Sequence, residues 1–390
     1  MILQLYLHFP FCKRKCLYCD FVSAAAGEDA MAAYCAALEK EIRAMGEKYT
    51  GAEVSTVFLG GGTPSIVPAP LMKSVLRTLR ESFSHQKDAE FTSEANPGTL
   101  TEKWLETLMD AGMNRLSLGV QASQDQLLER IGRIHTFAQA EESIRMAQRL
   151  GISNINADVM YGLPGQAEND YLETLERICA LDVTHVSAYS LIVEEGTPLC
   201  QQVERGQLTV PDDDDCAAMT SQGIEVLRKH GYHQYEISNY AKEGFACRHN
   251  VGYWQGAWYL GLGAAAHGMV PPSETDAQQG AVRVRLANPS DVKQYMEQSP
   301  HIVREKTLIG TDEAMFETMM LGLRMNEGVS EKHFETLHGQ SMTKRCGPAL
   351  DSILRDGLGC WQQRPNSDRA FALTPRGMLL QNEALLRLMD

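Results

Sequence analysis

No run of apolar residues in this sequence approaches the length needed to span a bilayer. The N-terminus has neither a basic n-region nor an apolar h-region ending in a small-residue cleavage site. A transmembrane segment and a secretory leader are thereby excluded, and the cytoplasm is the expected location; a peripheral membrane contact and a homodimer are left open. Positive charge is scarce: 36 Lys and Arg stand against 50 Asp and Glu, for a formal net charge of -14. Such a surface repels a phosphate backbone, so nucleic acid is not expected as a partner and a tRNA-modifying role is disfavoured. No internal repeat of fixed period stands out. In a reducing compartment the ten cysteines are not a disulfide framework. Cys35, Cys179, Cys200, Cys216, Cys346 and Cys360 are scattered singly and read as small buried hydrophobes.

Three cysteines are different. "HFPFCKRKCLYCDF", residues 8 to 21, spaces Cys12, Cys16 and Cys19 as C-x3-C-x2-C and puts Phe21 where a fourth could stand. A structural zinc takes four protein ligands, so zinc would need a distant fourth. A [4Fe–4S] cube held by three thiolates keeps one iron open, which is what a reactive cluster requires. Lys13, Arg14 and Lys15 would favour thiolates and an anionic cluster. Tyr18 sits between two of the cysteines, placed to pack against whatever occupies the open iron.

Around this loop, short β-forming runs alternate with longer runs of helical period. Strands are expected at Leu3–Phe9, Thr56–Leu59, Glu90–Glu94, Arg115–Val120, Ile155–Met160 and His185–Leu191. Helices are expected near 28–49, 69–83, 102–112, 137–150 and 168–181, the first with Met31, Tyr34, Leu38, Ile42 and Met45 on one stripe. Strict alternation implies an α/β fold with a parallel sheet and right-handed crossovers, either doubly wound or a partial (β/α) barrel. The unusual residues follow the strands: the cysteine loop, then "LGGGTPS", "SEANPGT", "GVQAS", "NADVMYGLPGQ" and "SAYSL". Parallel strands present their carboxyl ends to one face, so these six loops are expected to form one large pocket.

C-x3-C-x-Y-C after a first strand, followed by GGGTP after the second, resembles the radical S-adenosylmethionine superfamily. "FLGGGTPS", "EANPGTL", "LSLGVQ", "DVMYGLPGQ", "YEISNYA" and "RHNVGYW" in this order resemble, within it, the coproporphyrinogen III oxidase-like family, over essentially the whole chain. The resemblance implies a partial (β/α)6 barrel in which Cys12, Cys16 and Cys19 bind a [4Fe–4S] cluster. It implies contacts to S-adenosylmethionine from Tyr6, Tyr18, Gly61, Gly62, Thr63, Glu94, Gln121, Arg133 and Asp158. The chemistry agrees. Successive N–H groups of GGGT can meet a carboxylate, Glu94 and Asp158 suit ribose hydroxyls or an amino group, and Arg133 can grip a carboxylate.

Three features point to the heme-chaperone branch of that family. Phe21 replaces a fourth cysteine, strand one begins almost at Met1 with no covering segment before it, and "HNVGYW" matches an HNxxYW motif of that branch. The expected function is therefore heme binding and delivery to acceptor hemoproteins; SAM-dependent decarboxylation of coproporphyrinogen III is the alternative. No catalytic residue is assigned. His249, beside Tyr253 and Trp254, is expected as an axial heme ligand, with Cys247 a rival and Arg248 a partner for a propionate. His267, among small residues in "GLGAAAHG", reads as a packing or turn residue.

The chain is expected to divide into the barrel (1–210), a small α+β extension carrying the HNxxYW loop (211–304) and a C-terminal winged-helix-like domain (305–390). The acidic run "VPDDDD" reads as a solvated helix start and "PPSETDAQQG" (271–280) as an exposed loop. From residue 301 onward eleven Lys or Arg face twelve Asp or Glu, so the C-terminal unit is read as a docking or lid domain rather than a DNA reader.

Overall fold

The computed structural model describes residues 1–389. Six parallel strands form its centre: β1 (Ile2–Phe9), β2 (Glu53–Gly61), β3 (Ser84–Ala95), β4 (Arg115–Gln121), β5 (Asn154–Tyr161) and β6 (His185–Ser190). A helix lies in each crossover. The first, Glu28–Lys48, buries Met31, Tyr34, Leu38, Ile42 and Met45, the stripe expected from the sequence. Strand period two sorts the side chains. On β1, Leu3, Leu5, Leu7 and Phe9 are fully buried against the helices, each contributing about 1.5–3 kcal/mol. The alternate residues Gln4, Tyr6 and His8 face the lumen. This is the expected partial (β/α)6 barrel.

The sheet does not stop at six strands. At the β6 edge it adds β7 (His233–Gln234) and β8 (Asn239–Ala241). At the other edge β9 (Tyr259–Leu262) pairs parallel with β1. An antiparallel meander of β10 (His267–Val270), β11 (Arg283–Ala287) and β12 (Glu305–Ile309) follows. The order is β12-β11-β10-β9-β1-β2-β3-β4-β5-β6-β8-β7. None of the six added strands was expected, because runs of two to five residues are too short to show alternation. The region 211–304 is therefore not set apart from the barrel: it supplies strands to both edges of one sheet. Glu305–Ile309, expected to open the C-terminal unit, is the last strand of that sheet.

Two local expectations change. Segment 271–280 holds a short helix, Glu274–Gln278, begun by a capping box between Ser273 and Asp276. The HNxxYW stretch is a helix, Arg248–Trp254, rather than a loop. The acidic run behaves as expected: Asp212 accepts the Asp215 N–H at 2.8 Å and starts the helix Asp213–Lys229.

The C-terminal unit packs the helices Thr311–Gly322, Glu331–His338 and Met342–Arg355 against β13 (Val329–Ser330), β14 (Gly359–Arg364) and β15 (Asp368–Leu373). Its own core includes Met319, Phe334, Leu350 and Phe371. It joins the barrel through Arg324, which pairs with Glu236 at 3.4 Å and lies 4.3 Å over the Trp254 ring. Among the described residues no helix is long and apolar enough to cross a membrane.

Candidate cluster and ligand site

The cysteine loop is held by the strand beside it. Gly62 N donates to Phe9 O at 2.8 Å, Thr63 N to Phe11 O at 2.6 Å, and Cys12 N to Ala24 O at 3.0 Å. Two of the N–H groups expected to meet a ligand carboxylate thus anchor the loop instead; Gly61 N meets the carboxylate of Glu94 at 3.2 Å. Position 62 must be glycine, since a Cβ would stand 2.5 Å from Phe11 O. Cys12, Cys16 and Cys19 are free and half-buried. Thr63 Oγ1 donates to Cys12 Sγ at 3.4 Å and Arg133 Nη1 to Cys16 Sγ at 3.5 Å. Among the described residues no three His, Cys, Asp or Glu side chains converge as they would on a single ion. Three thiolates spread along one loop, with a guanidinium against one of them, fit a larger anionic group such as a [4Fe–4S] cluster.

Arg133 ties the loops together. It is 8% exposed, donates to Asn96 Oδ1 at 2.6 Å and to the Gly119 carbonyl, and reaches Cys16. Asn96 in turn donates to Thr63 Oγ1 at 2.8 Å. Sequence reasoning passed over Asn96, although it lies inside the quoted "SEANPGT". A recess of about 10 Å³ lies among these loops at Cys16, Thr63, Asn96 and Arg133.

Below the loops the lumen is polar. Tyr6 OH and His8 Nδ1 share a hydrogen bond of 3.0 Å, and His8 Nε2 meets Val22 O at 2.9 Å. Asp158 accepts from Asn156 Nδ2 at 2.8 Å and from Ser117 Oγ at 3.2 Å. Burial, then repulsion from Asp158, pushes the Glu94 carboxyl up to about 8; burial also raises Asp158. Neither carboxylate forms an ion pair among the described residues. Two desolvated carboxylates in one lumen fit a ligand that carries positive charge and hydroxyls, as S-adenosylmethionine does. Gln121 closes β4 with φ of 71° and stays buried. Tyr18 packs on the apolar group of Leu127, Ile131 and Met160, and its hydroxyl feels the charges of Arg133, Cys16, Cys19 and Asp158.

The HNxxYW helix plugs the opposite end of the lumen. Glu90 accepts Arg248 N at 2.8 Å and His249 N at 3.1 Å, a carboxylate at a helix N-terminus. A Cβ at Gly252 would overlap the Gln4 amide, so the helix lies directly on β1. His249 is 1% exposed; its Nδ1 meets Thr56 Oγ1 at 2.7 Å and its Nε2 meets Tyr253 OH at 2.9 Å. Burial lowers its pKa to about 3. Both ring nitrogens are thus engaged by hydroxyls at the floor of the lumen. Cys247 is fully buried against Glu90, its thiol pushed up to about 12, and Arg248 pairs with Asp88 at 3.3 Å. Neither is presented as a ligand or propionate partner.

The open volume lies beside the lumen. A groove of about 990 Å³ runs from Tyr6, His8 and Phe21 across the face of β9, β10 and β11 to the helix Thr311–Gly322. Tyr253 and Trp254 reach it; His249 does not. His267, expected as a packing or turn residue, is the first residue of β10, exposed and facing this groove. Alternation on a four-residue strand is too brief to have revealed it.

The barrel, its three-thiolate loop and its carboxylate-lined lumen define a radical S-adenosylmethionine protein. The family model of the radical SAM superfamily matches residues 6–178, and that of the HemN C-terminal domain matches residues 311–380. The chain is 36% identical to the heme chaperone HemW of Bacillus subtilis over 97% of both chains. It is 39% identical to the heme chaperone HemW of Escherichia coli over 69% of this chain and 70% of that one. It is also 33% identical to the mitochondrial radical S-adenosyl methionine domain-containing protein 1 of Danio rerio, over 85% of this chain and 75% of that one. The chain belongs to the HemW family of the radical SAM superfamily. Its fold matches the solved coproporphyrinogen III oxidase of Escherichia coli with a TM-score of 0.81 at 22% identity, over 99% of this chain and 89% of that one.

Proposed function

We propose that this chain is a heme chaperone that binds heme and delivers it to acceptor hemoproteins in the cytoplasm. The observation that carries this is a wide groove opening beside a radical SAM lumen, with an apolar Phe21 on its wall where the oxidase pattern has a fourth cysteine. Cys12, Cys16 and Cys19 would hold a [4Fe–4S] cluster, which when bound would supply an electron for the sulfonium of S-adenosylmethionine. Arg133 and Thr63 orient the thiolates. Glu94 and Asp158 take the amino group or ribose hydroxyls, supported by Ser117 and Asn156. Tyr6, Gly61, Gly62, Gln121 and Tyr18 shape the walls around that ligand.

The test is a transfer assay. Anaerobically reconstituted protein is loaded with hemin and mixed with an apo-hemoprotein; recovery of the acceptor's spectrum and activity is expected. In parallel it is incubated with S-adenosylmethionine, a reductant and coproporphyrinogen III. Protoporphyrinogen formed over multiple turnovers would replace the chaperone reading with the oxidase.

A further inference from the structure

Strand pairing brings Ser117 of β4 beside Asn156 of β5, and puts His185 and Ser187 of β6 opposite Asn156 and Asp158. Period two leaves these side chains on one face of the sheet. Ser117, Asn156, His185 and Ser187 are buried, whereas Asp158 is only half-buried and opens on the lumen. Its two oxygens both accept from the protein: Oδ1 from Asn156 Nδ2 at 2.8 Å and Oδ2 from Ser117 Oγ at 3.2 Å. Donors on both oxygens favour the carboxylate form.

The hydrogen bonds continue past what Asp158 needs. Asn156 Oδ1 meets His185 Nδ1 at 2.6 Å, and His185 Nε2 meets Tyr235 OH at 2.9 Å. Tyr235 lies in the connection between β7 and β8, at the far edge of the sheet. Its hydroxyl accepts the backbone N–H of Cys247 at 3.2 Å. Cys247 is the N-cap residue of the HNxxYW helix, Arg248–Trp254. His185 is not required merely to satisfy Asn156 Oδ1, because Ser187 Oγ already donates to that oxygen at 3.1 Å.

The donor inventory gives this run a direction. A backbone N–H only donates, so Tyr235 OH accepts from Cys247 and keeps its own proton to give. Among the described residues the acceptor it meets is His185 Nε2. That leaves Nδ1 as the protonated nitrogen of a neutral ring, donating to Asn156 Oδ1. Burial, then the charge of Arg115, holds the His185 pKa well below its ordinary value and keeps the ring neutral. Asn156 Nδ2 then donates to Asp158. Every bond from Cys247 through Tyr235, His185 and Asn156 points the same way and ends on a carboxylate. Hydrogen bonds aligned in this way polarise one another.

We propose that Tyr235 and His185 are positioning residues for S-adenosylmethionine, orienting Asp158 through Asn156 from the N-cap of the HNxxYW helix and making that helix sense whether the lumen is filled. This rests on the reading that Asp158 contacts S-adenosylmethionine. A ligand group that donates to Asp158 and the run behind it both require the carboxylate in one orientation. Whichever forms first lowers the entropy that the other must lose, so the two support each other. A filled lumen also excludes water from Asp158, which strengthens the bonds behind it. By linkage, loss of the run must weaken the ligand.

The experiment compares anaerobically reconstituted wild type, Tyr235→Phe, His185→Gln and Asp158→Ala. Circular dichroism and iron content check that each is folded and loaded. Calorimetry reads S-adenosylmethionine affinity, and amide hydrogen exchange with and without S-adenosylmethionine reads the segment Cys247–Trp254. In wild type the ligand should slow exchange in that segment. Tyr235→Phe removes only a hydroxyl, yet it should weaken the ligand by about twofold to tenfold, the range for one hydrogen bond. It should also abolish the ligand-dependent slowing, a difference that a purely structural role would not move. His185→Gln should act in the same direction. If both variants bind S-adenosylmethionine as wild type does while Asp158→Ala does not, the proposal falls and the reading of Asp158 stands. If Asp158→Ala also binds as wild type does, that reading falls and the proposal with it. If wild type shows no slowing, or Tyr235→Phe keeps it, the helix does not sense the lumen and the run is packing alone.

Discussion

In the lumen, Asp158 has Asn156 and Ser117 as partners, Glu94 has the Gly61 amide, and Arg133 holds three acceptors at once. In the groove, a few residues away across β1, Arg283 has one hydrogen bond and the charge of Glu317, His267 is exposed, and Phe21 and Val303 lie bare. One compartment is set in place by its own hydrogen bonds before a ligand arrives. The other presents unmatched groups on an open surface. The first arrangement suits a ligand that must sit in one pose for chemistry. The second suits a cargo that must come and go. The two share β1, so changes on either side can be read against the other.

The largest effect expected is at the cysteine loop. Cys16→Ala should remove the cluster altogether, read as loss of stoichiometric iron and of the Mössbauer signature after anaerobic reconstitution, while hemin binding persists. Loss of both together would show that the two compartments are not separable. Iron-free, zinc-loaded wild type would overturn the cluster assignment itself.

Next in size is the plug. Glu90→Ala leaves the Arg248 and His249 amides without their acceptor in a buried place, and unfolding in urea should show a loss of about 2–4 kcal/mol. An undiminished midpoint would mean that the helix is held by packing alone.

The lumen carboxylates come third. Glu94→Ala and Asp158→Ala should each weaken S-adenosylmethionine by about 1–3 kcal/mol by calorimetry, with hemin affinity unmoved. Glu94 also carries a pH signature. Its carboxyl is raised from 4.5 to about 8, so the folded protein holds that proton more tightly than the unfolded chain does. In the ligand-free protein its contribution to stability is fully present below about pH 4.5 and is lost as the pH rises toward 8. Glu94→Gln should flatten the melting temperature over that window, and an identical pH profile in both proteins would contradict the assignment.

The smallest effect is expected at Arg248. Its pair with Asp88 is solvent-exposed, with side-chain exposures of 45% and 79%, so Arg248→Ala should change stability by less than about 0.5 kcal/mol and leave heme transfer intact. A large loss of transfer would return this residue to the heme path.

Much of the barrel was legible in the sequence because its strands and helices are long enough for periodicity to register, and their irregular ends carry cysteine, glycine and acid. The polar face inside the barrel went unread: "RLSLGVQ" sets Arg115, Ser117 and Gly119 in line by strand period, but all seven residues of this strand are buried and nothing local marks which face is the lumen. The sheet edges were not legible. β7 to β12 are short and bring their residues together only through pairing between distant segments. His249 and His267 show the consequence. A motif placed the first beside two aromatic residues, one of which, Tyr253, does meet its ring, but nothing local revealed that Thr56 takes the other nitrogen. The second stood among alanines and glycines, and only the partnership of β10 with β11 shows what it faces.

The position of β1 also bears on the order in which the chain is made. Gln4 pairs in the finished sheet with Tyr259, and Leu7 with Leu262. At roughly 5–20 residues per second, the N-terminal strand leaves the ribosome on the order of tens of seconds before its second neighbour exists. During that interval one edge of β1, with its row of unpaired amides and carbonyls, is open to any other strand nearby. The cysteine loop hangs from the end of this same half-finished edge. A nascent chain stalled between residues 200 and 259 should therefore be prone to aggregation, and pulsed proteolysis of ribosome-bound chains should show β1 becoming protected only after Leu262 has emerged.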